Sequence, residues 1–239
     1  MPEMIQSLLQ AMRFQEGRQA VLEQPQFQVP FLLDYLAVFL WAVSGAIVGM
    51  HKRYDFAGVL VVAILASTGG SLIRDGIFLQ QTPPVLSNPI YIPLIIMAVA
   101  LVGFFRRRIA QMALVDRVVN VIDGIGVPAF AIVGLQLSLQ AGIPLPGVVV
   151  VGVANGVGGG VLRDLLVGDA PAALRPGTIF VSGVILICIL FLVLTLGFGV
   201  SKEWAAWGMI VLFFTIRMLS IRYNWRTRPV LQGPSVRDE

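Results

Sequence analysis

Gly69-Gly70-Ser71-Leu72-Ile73-Arg74-Asp75 and Gly158-Gly159-Gly160-Val161-Leu162-Arg163-Asp164 are two versions of one heptapeptide, each set in a long apolar run. Glycine clusters loosen helices, and an arginine beside an aspartate is expensive in an apolar medium. Sliding the chain by 89 residues superposes the two copies. It also brings Asp34 onto Asp123, Gly45 onto Gly134, Gly58 onto Gly147 and Ile90 onto Ile179 without a gap. The chain is one unit written twice.

Composition fixes the medium. Of 239 residues, 57% are hydrophobic and 13% charged, against roughly 45–50% and about 25% in an ordinary soluble domain. This is the composition of an integral membrane protein. The net charge of +4 and pI near 9.7 come from basic residues that flank apolar segments, where they orient a chain in the bilayer; no nucleic-acid partner is expected. Cys188 is the only cysteine and His51 the only histidine, so neither a disulfide nor a Cys-based metal site is expected. Residues 1–30 lack the basic start of a signal peptide. Met4, Ile5, Leu8, Leu9 and Met12 share one helical face there, which predicts a short amphipathic helix at the interface.

A bilayer needs about 20 apolar residues per helix. Segments 31–50, 56–78, 90–105, 118–140, 146–167, 179–198 and 204–221 reach or approach that length. The repeat covers the first three and the next three, and the odd number forces the second copy to enter from the opposite face. The expected fold is therefore all-α and polytopic: seven transmembrane helices forming two inverted three-helix repeats plus a seventh helix. Its divisions are an N-terminal segment 1–30, repeats 31–110 and 111–200, the seventh helix 201–223 and a basic tail 224–239. Setting aside Arg74 and Arg163, one face collects twelve basic residues and the other only Arg13, Arg18 and Lys202. The rich face is cytoplasmic by the positive-inside rule, with the N-terminus outside and the C-terminus inside a plasma (inner) membrane.

At about 1.5 Å per residue from position 56, Gly69-Gly70 lies somewhat past the midplane and Arg74-Asp75 near the outer interface; the fifth span mirrors this. Small residues at that depth let helices pack closely. They also let a helix unwind and expose carbonyls along a water-lined path. The matched depth of two copies favours kinks in the second and fifth helices. Neighbouring residues on a helix point about 100° apart, so each arginine is expected to seek a partner elsewhere. The same separation in both halves suggests Asp34 with Arg74 and Asp123 with Arg163, bracing two mouths, each followed by Asp75 or Asp164. Snorkelling arginines are the plainer alternative. Between the mouths the polar groups are Ser44, Ser67, Thr68, Ser71, Gln136, Ser138, Asn155 and Ser182. No span carries a central carboxylate or histidine, which disfavours a proton relay and suits a path for a monovalent ion. Nothing resembles a nucleophile–base set, a metal cluster or a phosphate loop, so no enzyme activity is expected.

With Asp34, Ser44-Gly45, Gly58, Thr68-Gly69-Gly70-Ser71-Leu72-Ile73-Arg74-Asp75 and their counterparts Asp123-Gly124, Phe130, Gly134, Gly147 and 158–164, the chain resembles the prokaryotic trimeric intracellular cation channels. That family overlaps one labelled as glycine transporters, and the resemblance spans roughly residues 31–223. It implies a homotrimer in membrane lipid with one pore per protomer. Spans one, two, four and five line each pore, which kinks at the glycine motifs, passes K+ and Na+, and uses no cofactor. Pore or hinge residues would be Gly69, Gly70, Ser71, Gly158, Gly159, Gly160, Ser44, Thr68 and Asn155. Ser71 departs from the family, which often has a third glycine there. The alternative is a carrier for a small zwitterion such as glycine, its two charged ends held at half-helix termini.

Overall fold

The structure is a computed structural model that describes residues 31–109, 112–174, 180–223 and 225. The amphipathic helix expected before residue 31 and the tail beyond residue 225 lie outside the described residues. Those described are helical apart from short links. The long helices are α1 (Phe31–His51), α2 (Phe56–Ile73), α3 (Tyr91–Ile109), α4 (Met112–Gln140), α5 (Leu145–Leu166), α6 (Val181–Leu192) and α7 (Lys202–Arg222). A single helical turn, Pro84–Ser87, precedes α3.

Local chemistry sets the boundaries. Asp55 caps α2, accepting the Gly58 N–H on Oδ1 at 2.8 Å and so satisfying one orphan donor of the first turn. Arg53 (φ 61°) and Gly142 (φ 77°) both turn the chain through the left-handed region. They are 89 residues apart, so the α1–α2 and α4–α5 links repeat each other. At Arg74, α2 widens into a π-helical turn, Arg74–Leu79; α6 ends in another, Val193–Gly197.

Four stretches, Phe56–Leu79, Val119–Gln140, Leu145–Leu166 and Lys202–Arg222, are long and apolar enough to cross a membrane. Tyr35–His51, Tyr91–Phe105 and Val181–Gly197 are apolar but shorter.

The repeat is visible in what is buried. Val38, Ala42, Val59, Ile95, Ala98, Val99 and Val102 form the core of the first half. Adding 89 gives Val127, Ala131, Val148, Val184, Ile187, Cys188 and Phe191, all in the second core. Both copies therefore turn the same helical faces inward. The second core also takes in Ala205, Ala206, Met209, Ile210 and Phe213 of α7, which packs against α4 and α6.

Candidate functional site

The two halves meet where α2 crosses α5, and the crossing is built from backbone. A methyl group on Gly70 would collide with the carbonyl oxygen of Asn155, and one on Gly159 with that of Ala66. These two contacts exchange under the 89-residue shift. So do two others: Gly69 against Leu162 and the Gly159 Cα, and Gly158 against Ile73 and the Gly70 Cα. Reciprocal contacts of this kind are what a two-fold relation between the copies produces. With three helices per copy, such a relation is the one expected of inverted repeats.

This seam corrects one expectation. Helix α5 runs unbroken through Gly158, Gly159 and Gly160, and α2 through Gly69 and Gly70. Gly69, Gly70, Gly158 and Gly159 are spent on close approach, which leaves their carbonyls within the helices. Nothing stands within 4 Å of a methyl at Gly160. The irregular turn comes four residues after Gly70, at Arg74, and only in the first copy.

The Arg-Asp pairs require a second correction, since each arginine binds its own neighbour. Arg74 Nε and Nη2 donate to Asp75 Oδ1 and Oδ2 at 2.7 and 2.5 Å. Arg163 Nε and Nη2 lie 2.9 and 2.8 Å from Asp164 Oδ1. The 100° between neighbours describes their Cβ directions, and a long arginine stem bends round that angle. All four residues are buried. Asp123 accepts the Trp41 indole N–H on Oδ1 at 3.1 Å and makes no ion pair with Arg163. Asp34 lies in α1 at a position whose side chain is outside those described.

The remaining guanidinium nitrogens reach across the molecule, and here the copies diverge. Arg74 Nη1 donates to Asn155 Oδ1 at 3.3 Å, while Asn155 Nδ2 donates to the Phe130 carbonyl at 2.5 Å. The position equivalent to Asn155 is Ala66, which has nothing to offer Arg163. Arg163 Nη1 instead donates to Ser44 Oγ at 2.9 Å. Asp75 also accepts from Gln81 Nε2 at 2.8 Å, and Asp164 from the Ala172 N–H at 2.8 Å.

Beside the seam lies a cavity of about 380 Å³ among α1, α2, α4, α5 and α7. Its polar lining is Ser67, Ser71, Asn120, Asp123, Asn155, Arg163, Asp164, Asp169 and Arg217; Trp41, Phe130 and Phe180 supply aromatic walls, and Gly70, Gly159 and Gly160 a backbone edge. The structure thus gathers Gly70, Ser71, Gly159, Gly160, Asn155, Asp123, Arg163 and Asp164 around one space. Thr68 is turned into its own helix, donating to the Ile64 carbonyl at 2.7 Å. Ser44, Arg74 and Asp75 are held in the contacts above. At the rim, Lys52 Nζ meets Asp169 Oδ1 at 2.7 Å, both partly exposed. No group of three or more His, Cys, Asp or Glu side chains gathers to hold a metal ion among the described residues.

Among the cavity residues that the sequence did not single out are Trp41, Asn120, Asp169, Phe180 and Arg217. The shift that aligned the halves sets Trp41 against Phe130, an exchange of an N–H donor for none, and that was the available signal. Arg217 looked like an orienting charge, although it lies more than a turn inside the end of α7 at Arg222.

A family model described as Glycine transporter matches the chain twice, at residues 31–107 and 120–196. The two matches are offset by the same 89 residues. The UPF0126 membrane protein YvgT of Bacillus subtilis (strain 168) is 30% identical over 200 residues, 82% of this chain and 93% of the relative. The UPF0126 inner membrane protein YadS of Escherichia coli (strain K12) is 28% identical over 200 residues, 81% of this chain and 92% of the relative. The structure of the TRIC trimeric intracellular cation channel orthologue from Rhodobacter sphaeroides superposes with a TM-score of 0.72 at 27% identity, covering 81% of this chain and 97% of that one.

Proposed function

The chain belongs to the glycine-transporter (UPF0126) family and has the fold of the trimeric intracellular cation channels, and on that premise we propose that it conducts monovalent cations. Potassium and sodium would pass through a path inside each protomer of a homotrimer. The observation that carries this reading is the cavity's lining. It includes partly exposed Asp169, the carboxylate of Asp123, and Ser67, Ser71 and Asn155 beside the seam glycines Gly70 and Gly159. Hydroxyl and amide oxygens with one carboxylate outside any ion pair can replace loosely held water around a monovalent cation. The seam glycines Gly70 and Gly159 border the same space, and in this reading the seam is the gate. Apolar outer surfaces, Phe104, Trp204 and Val211 among them, suit lipid and sister protomers. The twelve-to-three basic asymmetry supports a C-terminus on the cytoplasmic side of a prokaryotic inner membrane.

The test is single-channel recording of purified protein in a planar bilayer under a potassium gradient, with labelled glycine uptake measured in parallel liposomes. Unitary cation currents that fall in Asp123→Asn support the proposal. Glycine uptake without unitary currents overturns it.

A further inference from the structure

Arg217 is a buried cation with most of its hydrogen-bonding capacity unused. It is 5% exposed and borders the cavity. Its Nη2 donates to Asn120 Oδ1 at 2.9 Å, and the guanidinium lies 4.5 Å from the centre of the Phe180 ring. Nε and Nη1 have no hydrogen-bond partner among the described residues. A guanidinium does not shed its proton in a protein, so the charge cannot be relieved by neutralisation. Buried polar groups in native structures nearly always find a partner.

Among the described residues no other charge at the cavity hydrogen-bonds to these two nitrogens, although Asp123 is near enough to act on Arg217 through space. Arg163 is bound to Asp164 and Asp169 to Lys52. Asp123, one turn along α4 from Asn120, takes its hydrogen bond from Trp41. Arg217 therefore brings a positive charge to the cavity wall, one edge fixed by Asn120 and one face covered by Phe180, with Nε and Nη1 buried and without a partner among the described residues. A fork of N–H donors held in that way matches the oxygens of a carboxylate or phosphate better than it matches a spherical ion. The volume, about 380 Å³, is at the lower end of the range for small-ligand clefts, which favours a soluble anion over a lipid.

We propose that Arg217, held by Asn120 and Phe180, is the anchor of a binding site for one small soluble oxyanion inside this cavity. The oxyanion satisfies the unpartnered nitrogens and cancels a positive charge that would repel cations from the same space. Its effect on conduction rests on the channel reading above; the binding does not. Asp123 repels the anion, so a potassium ion in the cavity and the oxyanion favour each other's binding.

The probes are inorganic phosphate and acetate, with chloride as the control, titrated into full-length protein in detergent by calorimetry and by thermal unfolding. Saturable phosphate or acetate binding at one site per chain is expected. It should weaken about tenfold or more in Arg217→Gln, and also when potassium is replaced by N-methylglucamine at constant ionic strength. Asn120→Ala, which leaves the charge in place, should weaken it less. No saturable binding to the wild-type chain overturns the site whether or not the variants fold. Equal affinity in a folded Arg217→Gln overturns it as well. Binding of glycine but of neither anion overturns it in favour of a zwitterion site. Bilayer recordings at fixed potassium then separate the two readings. Oxyanion binding without any cation current leaves the site and removes the channel; currents with no oxyanion binding do the reverse.

Discussion

Trp41 donates its indole N–H to Asp123 across the boundary between the repeats, and Phe130, which holds the equivalent place in the second copy, has no hydrogen to give. The two rings lie against each other, centroids 5.0 Å apart. The inverted halves are thus chemically unequal at their centre, with a fixed carboxylate on one side of the ring pair. Trp41→Phe should remove that difference. We expect smaller cation currents in the direction that enters past Asp123, little change in the other, and a stability loss of about 1.5–3 kcal/mol from a hydrogen bond to a charged group. Current–voltage curves recorded from both sides check this. In Asp123→Ala, which removes the acceptor, adding Trp41→Phe should change little further; additive effects would refute the coupling.

The glycines should divide by position. Gly70→Ala and Gly159→Ala force a methyl onto a carbonyl oxygen and should cost about 1–3 kcal/mol or more each. Gly160→Ala meets open space and should be neutral, or stabilising by up to about 1 kcal/mol through helix propensity. Melting temperatures in detergent decide it. Equal effects at 159 and 160 would mean the seam is not a packing contact.

Each buried Arg-Asp pair should be costly to halve and cheap to delete. Asp75→Asn leaves Arg74 uncompensated and should lose about 3–5 kcal/mol, whereas Arg74→Met with Asp75→Leu should come within about 1–2 kcal/mol of the parent. Asn155→Ala should be the more harmful of the two anchor deletions, since Asn155 serves both Arg74 and the Phe130 carbonyl while Ser44 receives Arg163 alone. Unfolding of the four variants, scored by retained monodisperse protein, tests the order.

Orientation has a direct check. With Cys188 replaced, single cysteines at Gln10 and Ser235 are exposed to impermeant thiol reagent on intact cells. Labelling at position 10 and not at 235 is expected from the basic asymmetry; the opposite pattern reverses the topology.

The duplication and the seven apolar stretches were legible from composition and self-similarity, and in the structure the 89-residue shift carries buried residue onto buried residue. The role of the glycines was not. Whether the space beside Gly70 holds water or the Asn155 carbonyl depends on a helix 85 positions away in sequence. Asp123 and Arg163 both border the cavity, but the hydrogen-bond partners Trp41 and Ser44 belong to the other repeat and leave no mark in the spacing. Arg217 was hidden by its company, counted with eleven other basic residues as an orienting charge.

The adjacency of Arg74 and Asp75 has a consequence in time. Asn155, the partner from the other half, is made 81 residues after Arg74; at about 5–20 residues per second that is an interval of roughly 4–16 s. Throughout it the new arginine already has its carboxylate, because the two leave the ribosome one after the other. A carboxylate on another span would have depended on two spans finding each other first. Neutralisation within a single helix lets the first hairpin enter the bilayer without waiting for the rest of the chain.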